Sequence, residues 1–161
     1  MDDPLGEFAD IGSFNEIVGW HDGLPDKCGR SKWSTKYQKP VVISEFGGGA
    51  LQGFHADKLM RFSEEFQEDL YRQTLPMLQT IPQFRGVTPS ILCDFRSARR
   101  LLPNMQDGWN RRGLIGENGI KKKAFRVLQA YYDQMERQSD QPVKPPAARM
   151  PERSEAAAFS E

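Results

Sequence analysis

The sequence predicts an α/β fold of parallel strands alternating with helices, and three observations carry that expectation. Pro40 to Phe46 is a continuous β-branched run of the kind buried on both faces of a parallel sheet. Two further strand-like segments, residues 8–15 and 86–95, lie on either side of it in the chain. Helical segments fall after the second and third strands, so the order is strand, long loop, strand, loop, helix, strand, long loop, helix. That alternation is the pattern of parallel β/α architecture.

The first strand, Phe8-Ala9-Asp10-Ile11-Gly12-Ser13-Phe14-Asn15, ends near Asn15-Glu16. Residues 19–39 carry Gly, Asp, Pro and Lys without period and read as a long loop, although Trp20, Trp33 and Tyr37 are unusual in a mere connector. One acidic residue, Glu45, closes the second strand, and Gly47-Gly48-Gly49 breaks it. Ser63 suits a helix N-cap, with Glu64 and Glu65 in the first turn where the helix dipole favours negative charge. Phe62, Phe66, Leu70 and Leu78 keep roughly one face of that helix, and Pro76 predicts a kink or an early end. Gly86 to Phe95 reads as the third strand. A second long loop, 96–119, leads to a helix from Lys121 to Met135 with Ala124, Val127, Leu128 and Tyr131 on one face. From Gln138 onward the chain is Pro, Ala, Ser, Glu and Arg with few large apolar residues, and a disordered tail is expected over 138–161.

Three strands make too little sheet for an independent doubly wound domain, and a complete (β/α)8 barrel takes about 250 residues. Residues 1–137 are therefore expected to form the last three βα units of a TIM barrel. The 161 residues carry 22 Lys plus Arg against 22 Asp plus Glu, a formal net charge of zero. That balance lacks the basic surplus of a nucleic-acid binder. Mean hydropathy is −0.65, and no apolar run approaches the roughly 18 residues needed to cross a bilayer. The start Met1-Asp2-Asp3-Pro4 has neither the basic region nor the apolar core of a signal peptide. Cys28 and Cys93 are too few for a disulfide framework or a zinc site, so no metal is expected and a reducing, cytoplasmic compartment is slightly favoured over a secreted one. The sequence is silent on oligomeric state.

In a barrel, catalytic groups sit at the carboxyl ends of strands, which is where Glu45 falls. Its neighbourhood, Lys39-Pro40-Val41-Val42-Ile43-Ser44-Glu45-Phe46-Gly47 followed by Leu51-Gln52-Gly53-Phe54-His55, resembles the nucleophile strand of glycoside hydrolase family 2, its β-glucuronidase and β-galactosidase-like members above all. Asn15-Glu16-Ile17-Val18-Gly19-Trp20 resembles the strand before it. Asp94-Phe95-Arg96-Ser97 and Gln106-Asp107-Gly108-Trp109-Asn110-Arg111-Arg112-Gly113-Leu114 resemble the last strand and its loop, and Lys121 to Phe125 the closing helix. The resemblance spans roughly residues 3–136 in collinear order.

The resemblance implies a retaining exo-β-glycosidase with Glu45 as nucleophile, a carbohydrate ligand and no cofactor. A retaining enzyme also needs a carboxylic acid to protonate the leaving oxygen. In this family that acid is the Glu of an Asn-Glu pair on an earlier strand. Only 28 residues separate Glu16 from Glu45, so Asn15-Glu16 is expected to be a substrate-contacting or structural pair, with the acid/base strand upstream. The resemblance further implies substrate contacts at Asn15, Trp20, His21, Asn110 and Arg112. Asn110-Arg111-Arg112 matches the Asn-x-Lys with which β-glucuronidases grip the sugar carboxylate; Arg112 replaces the lysine and still offers a cation with a bidentate fork. The other reading of Arg111-Arg112 is an ordinary solvated loop. Three positions depart from the family: Ile17 stands where a tyrosine bonds the nucleophile, His21 where an aromatic is usually Tyr, and Ser90 where a Trp walls the sugar site. These departures open the alternative of a non-catalytic carbohydrate-binding relative. Trp20, Trp33 and Trp109 suit sugar stacking or core cover, His55 a satisfied structural role, and Lys121 to Lys123 a solvated helix start.

Overall fold

The computed structural model describes residues 3–139, and its centre is a three-stranded parallel sheet. Strand β1 (Gly12–Asn15) pairs with β2 (Val41–Glu45), which pairs on its other side with β3 (Phe84–Val87). The parallel arrangement is as the sequence predicts, and β2 takes the centre of the sheet. Burial explains the centre: Val41 and Ile43 are 4% and 0% exposed, so β2 is covered on the face where its β-branched side chains pack. Helix α1 (Glu64–Gln79) and helix α2 (Lys123–Ser139) pack on each other, and α1 places Phe66, Leu70, Tyr71 and Leu78 in the core.

The element boundaries differ from expectation in ways with identifiable causes. Residues 8–11 are not strand. Pro4–Glu7 wind into a short 3-10 helix capped by the Asp3 carboxylate on Leu5 N at 2.9 Å. The Lys39 ammonium then donates to the carbonyls of Gly6, Glu7 and Ala9. The loop over 19–39 also holds a short 3-10 helix, Pro25–Arg30. The third strand lies earlier than 86–95. After Val87 the ladder survives only as single bonds, Thr88 N to Ile43 O and Ser90 N to Phe46 O, both 2.9 Å. Pro89 has no N–H to continue it, and the chain instead pairs residues 91–94 with residues 112–115. Two short antiparallel strands, β4 (Phe95–Arg96) and β5 (Trp109–Asn110), interrupt what reads as loop.

Helix α1 starts as predicted, with the Ser63 hydroxyl accepting from Phe66 N at 3.0 Å. Pro76 does not end it; the helix continues to Gln79. Helix α2 starts two residues late and runs on to Ser139. Its first amide, Lys123 N, is capped by the Glu64 carboxylate of α1 at 2.9 Å. Gln138 and Ser139, expected in the tail, are helical, and the rest of that expected segment, 140–161, lies outside the described residues. None of the described helices is long and apolar enough to cross a membrane.

Candidate active site

The site is built around the carboxyl end of β2. A register irregularity between Phe14 and Asn15 brings Asn15, rather than Glu16, level with Glu45. Such bulges re-aim side chains beside functional sites. The two strand ends are stitched by Glu16 N to Glu45 O at 2.7 Å and by the Ser44 hydroxyl donating to Asn15 Oδ1 at 3.0 Å.

Beyond Glu45 the glycines serve packing. Gly47 has φ +109°, and a Cβ there would meet the Tyr71 hydroxyl at 2.5 Å; one on Gly48 would meet the Trp20 ring at 2.6 Å. Only glycine lets the chain take that conformation this close to its neighbours. Tyr71 is fully buried beneath the turn, its hydroxyl without a hydrogen-bond partner among the described residues and its pKa pushed up by burial.

The turn after β5 meets Glu45 from the other side. Arg112 donates from Nη1 to Glu45 Oε1 at 2.6 Å and from Nη2 to the Gly47 carbonyl at 3.1 Å. Asn110 Oδ1 accepts from Arg112 N at 3.1 Å, fixing the turn that presents the guanidinium. His21 lies in the field of the same pair: burial and the Arg112 charge lower its pKa, against an opposite pull from Glu45, so the ring is neutral at pH 7. Glu45, Asn15, His21, Asn110 and Arg112 are thus brought together.

Trp20 is placed beside them but packed. Its ring is edge-on to Phe62 and Phe66, with the Arg61 guanidinium 5.2 Å from its centre. Arg61 is itself committed to the carbonyls of Trp20 and Gly23. Trp33 packs on Phe14 at 5.0 Å, and Trp109 lies between Arg96 and Arg111 at 4.4 and 5.4 Å. His55 pairs with Glu65 at 2.9 Å, the structural role expected of it.

Glu16 is 3% exposed and its Oε1 accepts from Val18 N at 2.5 Å. Burial raises its pKa, while the Val18 amide and the Trp33 indole pull it back. The carboxyl is tied into the fold of the 16–22 turn. Ile17 is 45% exposed and, being aliphatic, offers Glu45 no hydrogen bond.

The run Lys121 to Lys123 is not simply solvated. The Lys122 side chain is 0% exposed and donates to both Asp94 oxygens at 2.8 and 3.0 Å, and to the carbonyls of Ala50 and Arg111. Asp94 also accepts from Gly113 N at 2.9 Å, and Arg111 lies 3.5 Å from it while pairing with Glu117. Neither is Arg111-Arg112 an ordinary solvated loop, since Arg111 is 6% exposed. Burial pushes the Asp94 carboxyl up and the Lys122 ammonium down, with their mutual attraction opposing both shifts. The one sequence signal for this cluster is Asp94 itself, an acid in the apolar stretch Ile91 to Phe95 that demands a buried cation. Among the described residues no group of three or more His, Cys, Asp or Glu could hold a metal ion.

No family model matches the chain. Curated relatives do. It is 28% identical over 118 residues to a β-glucuronidase of Streptococcus agalactiae, covering 73% of this chain and 17% of that protein. It is 46% identical over 41 residues to the human β-glucuronidase, covering 26% of this chain and 6% of that one. The chain thus spans 17% or less of the length of these relatives. Among solved structures, a Faecalibacterium prausnitzii β-glucuronidase superposes with a TM-score of 0.67 at 24% identity, covering 83% of this chain and 23% of that one. A family 2 β-galacturonidase from Eisenbergiella tayi bound to galacturonate gives 0.66 at 24%, covering 81% and 24%. The two structural likenesses speak for the fold. The curated relatives make the chain similar, over part of its length, to β-glucuronidases.

Proposed function

We propose that this chain supplies the nucleophile end of a retaining exo-β-glycosidase site, carried on the last three βα units of a (β/α)8 barrel, and that its sugar is a uronic acid. The observation that carries the reading is the 2.6 Å approach of Arg112 to Glu45 at the carboxyl end of β2. A nucleophile and a cation fit to bind a sugar carboxylate meet there from segments 67 residues apart.

In the first step a Glu45 carboxylate oxygen attacks the anomeric carbon, the bond to the leaving oxygen breaks, and a glycosyl ester forms on Glu45. An acid protonates the leaving oxygen. Water, deprotonated by the same group, then attacks the anomeric carbon and releases Glu45. Glu16 is a poor choice for that acid, because its carboxyl is buried and bonded to Val18 N. The acid/base carboxylate belongs to a strand outside this chain. Arg112, presented by Asn110, takes the sugar carboxylate by a charge-assisted bond. Asn15 and His21 flank the nucleophile as further sugar contacts.

A second reading, a carbohydrate-binding relative without chemistry, draws on Ile17 and Ser90. With those residues, Arg112 is the one side chain bonded to the Glu45 carboxylate among the described residues. Hydrolysis of 2,4-dinitrophenyl β-glucuronide separates the two, because that leaving group needs no proton. The chain alone is expected to release no dinitrophenolate above a Glu45→Gln background, because it lacks the remaining strands that would complete the sugar site. Joined to the acid/base-bearing part of a β-glucuronidase barrel, it is expected to release it at a rate that Glu45→Gln abolishes. A folded but inert chimaera would favour the binding reading.

A further inference from the structure

Resting on the uronide reading, we propose that Arg112 is shared between Glu45 and the ligand: it holds the Glu45 carboxylate when no ligand is bound and transfers to the carboxylate of an incoming uronide, so that anionic sugars release the group that neutral sugars leave clamped. Three observations carry this. Arg112 directs Nη1 at Glu45 and Nη2 at the Gly47 carbonyl, while its buried Nε has no hydrogen-bond partner among the described residues. The guanidinium seat is therefore not closed around this one pairing. The two partners are unequally exposed, the Glu45 side chain at 37% and the Arg112 side chain at 11%. Water can take over Glu45 if the cation turns away, and nothing in the fold has to open.

The third observation is the supply of cations. Arg61 is bonded to two carbonyls, Arg111 pairs with Glu117, His21 is neutral at pH 7 by the direction of its shift, and Arg100, exposed on the loop before β5, adds a weaker field at His21 than Arg112 does. A uronide bound beside Glu45 puts two carboxylates in reach of the Arg112 guanidinium. Like charges at that separation repel unless the cation is redistributed between them. Solvent reaches the Glu45 end of the pair and screens it toward the value of a surface pair, under about 1 kcal/mol or about fivefold in an equilibrium constant, so it can be exchanged.

The test is an NMR titration of the full chain with methyl β-glucuronide and, separately, methyl β-glucoside. Glu45→Gln is expected to tighten glucuronide binding about three- to fivefold, with no comparable gain for the glucoside. That gain should disappear when Glu45→Gln is made in an Arg112→Met chain. Arg112→Lys, which keeps a cation in case the Met variant folds poorly, should bind glucuronide with a smaller response to Glu45→Gln. If Glu45→Gln leaves glucuronide affinity unchanged or weaker while Arg112→Met loses it, sharing is overturned and the uronide reading stands. A gain that persists in the Arg112→Met chain would mark simple repulsion between carboxylates and overturns sharing as well. If neither Arg112 variant changes glucuronide affinity, or no chain binds it, the uronide reading fails and takes the sharing with it.

Discussion

Two carboxylate–cation pairs share the turn from Asn110 to Gly113, and they are built for opposite ends. Asp94 and Lys122 show no exposed side-chain surface, and every strong group on them is bonded inside the fold: Gly113 N, the carbonyls of Ala50 and Arg111, and each other. Glu45 and Arg112 are bonded at a similar distance, 2.6 Å, yet Glu45 keeps 37% of its side chain in solvent and has no other side-chain partner among the described residues. The difference lies in satisfaction rather than in charge. A buried pair whose lone pairs and protons are all answered fixes three segments of backbone against one another. A half-open pair with donors to spare leaves a site that can change partners. The first pair sets where the second stands, since Lys122 grips Arg111 O and Asp94 grips Gly113 N on either side of Arg112.

Breaking the buried pair should have the largest effect. Lys122→Met leaves Asp94 as a buried carboxylate with Arg111 3.5 Å away as its remaining cation. Removing one partner of a buried pair costs about 3–5 kcal/mol, and the low end is expected here because Arg111 remains. Urea unfolding of the full chain measures it. A loss under 1 kcal/mol would mean the cluster does not organise the turn.

A third pair, with the most exposed cation of the three, owes its strength to the number of partners on its carboxylate. Glu65, 23% exposed, meets Lys123 at 2.6 Å. Burial alone would raise its carboxyl, but the bond from Lys123, the Ala56 and Glu65 amides and His55 outweigh it and hold the pKa down from 4.5 to about 2. A depressed carboxyl stabilises the fold above pH 4.5, and that stability is lost as the pH falls toward about 2. Glu65→Gln should therefore lower stability by about 1–2 kcal/mol at pH 7, after allowance for solvent screening. It should also flatten the acid limb of the stability curve between those two values. An unchanged acid limb would show that Lys123 and His55 do not hold the carboxylate in solution.

What the sequence showed and what it hid follow the same physics. The parallel strands and the start of α1 were legible because the apolar run of Pro40 to Phe46 marks β2, although the structure buries it on one face only, through Val41 and Ile43, and a capping Ser63 with an acidic first turn writes a helix start. The third strand was misplaced because Ile91 to Phe95 is as apolar as a strand, while Pro89, which ends the ladder, lies inside the run. Lys122 was hidden because three consecutive lysines say nothing of which one points inward. Glu45 was legible as one acid closing an apolar strand, but its bond to Arg112, 67 residues on, has no local pattern and reached the sequence reading only through family resemblance, as a ligand contact rather than a partner of Glu45.

The central claim is that the Glu45–Arg112 pair serves a ligand rather than the fold. A double-mutant cycle by urea unfolding tests it most directly, using Glu45→Gln, Arg112→Met and the double variant without sugar present. The expected coupling energy is under about 1 kcal/mol, the value of a half-exposed ion pair. A coupling of about 3 kcal/mol, the scale of Asp94 with Lys122, would contradict it and make Arg112 a structural clamp on β2.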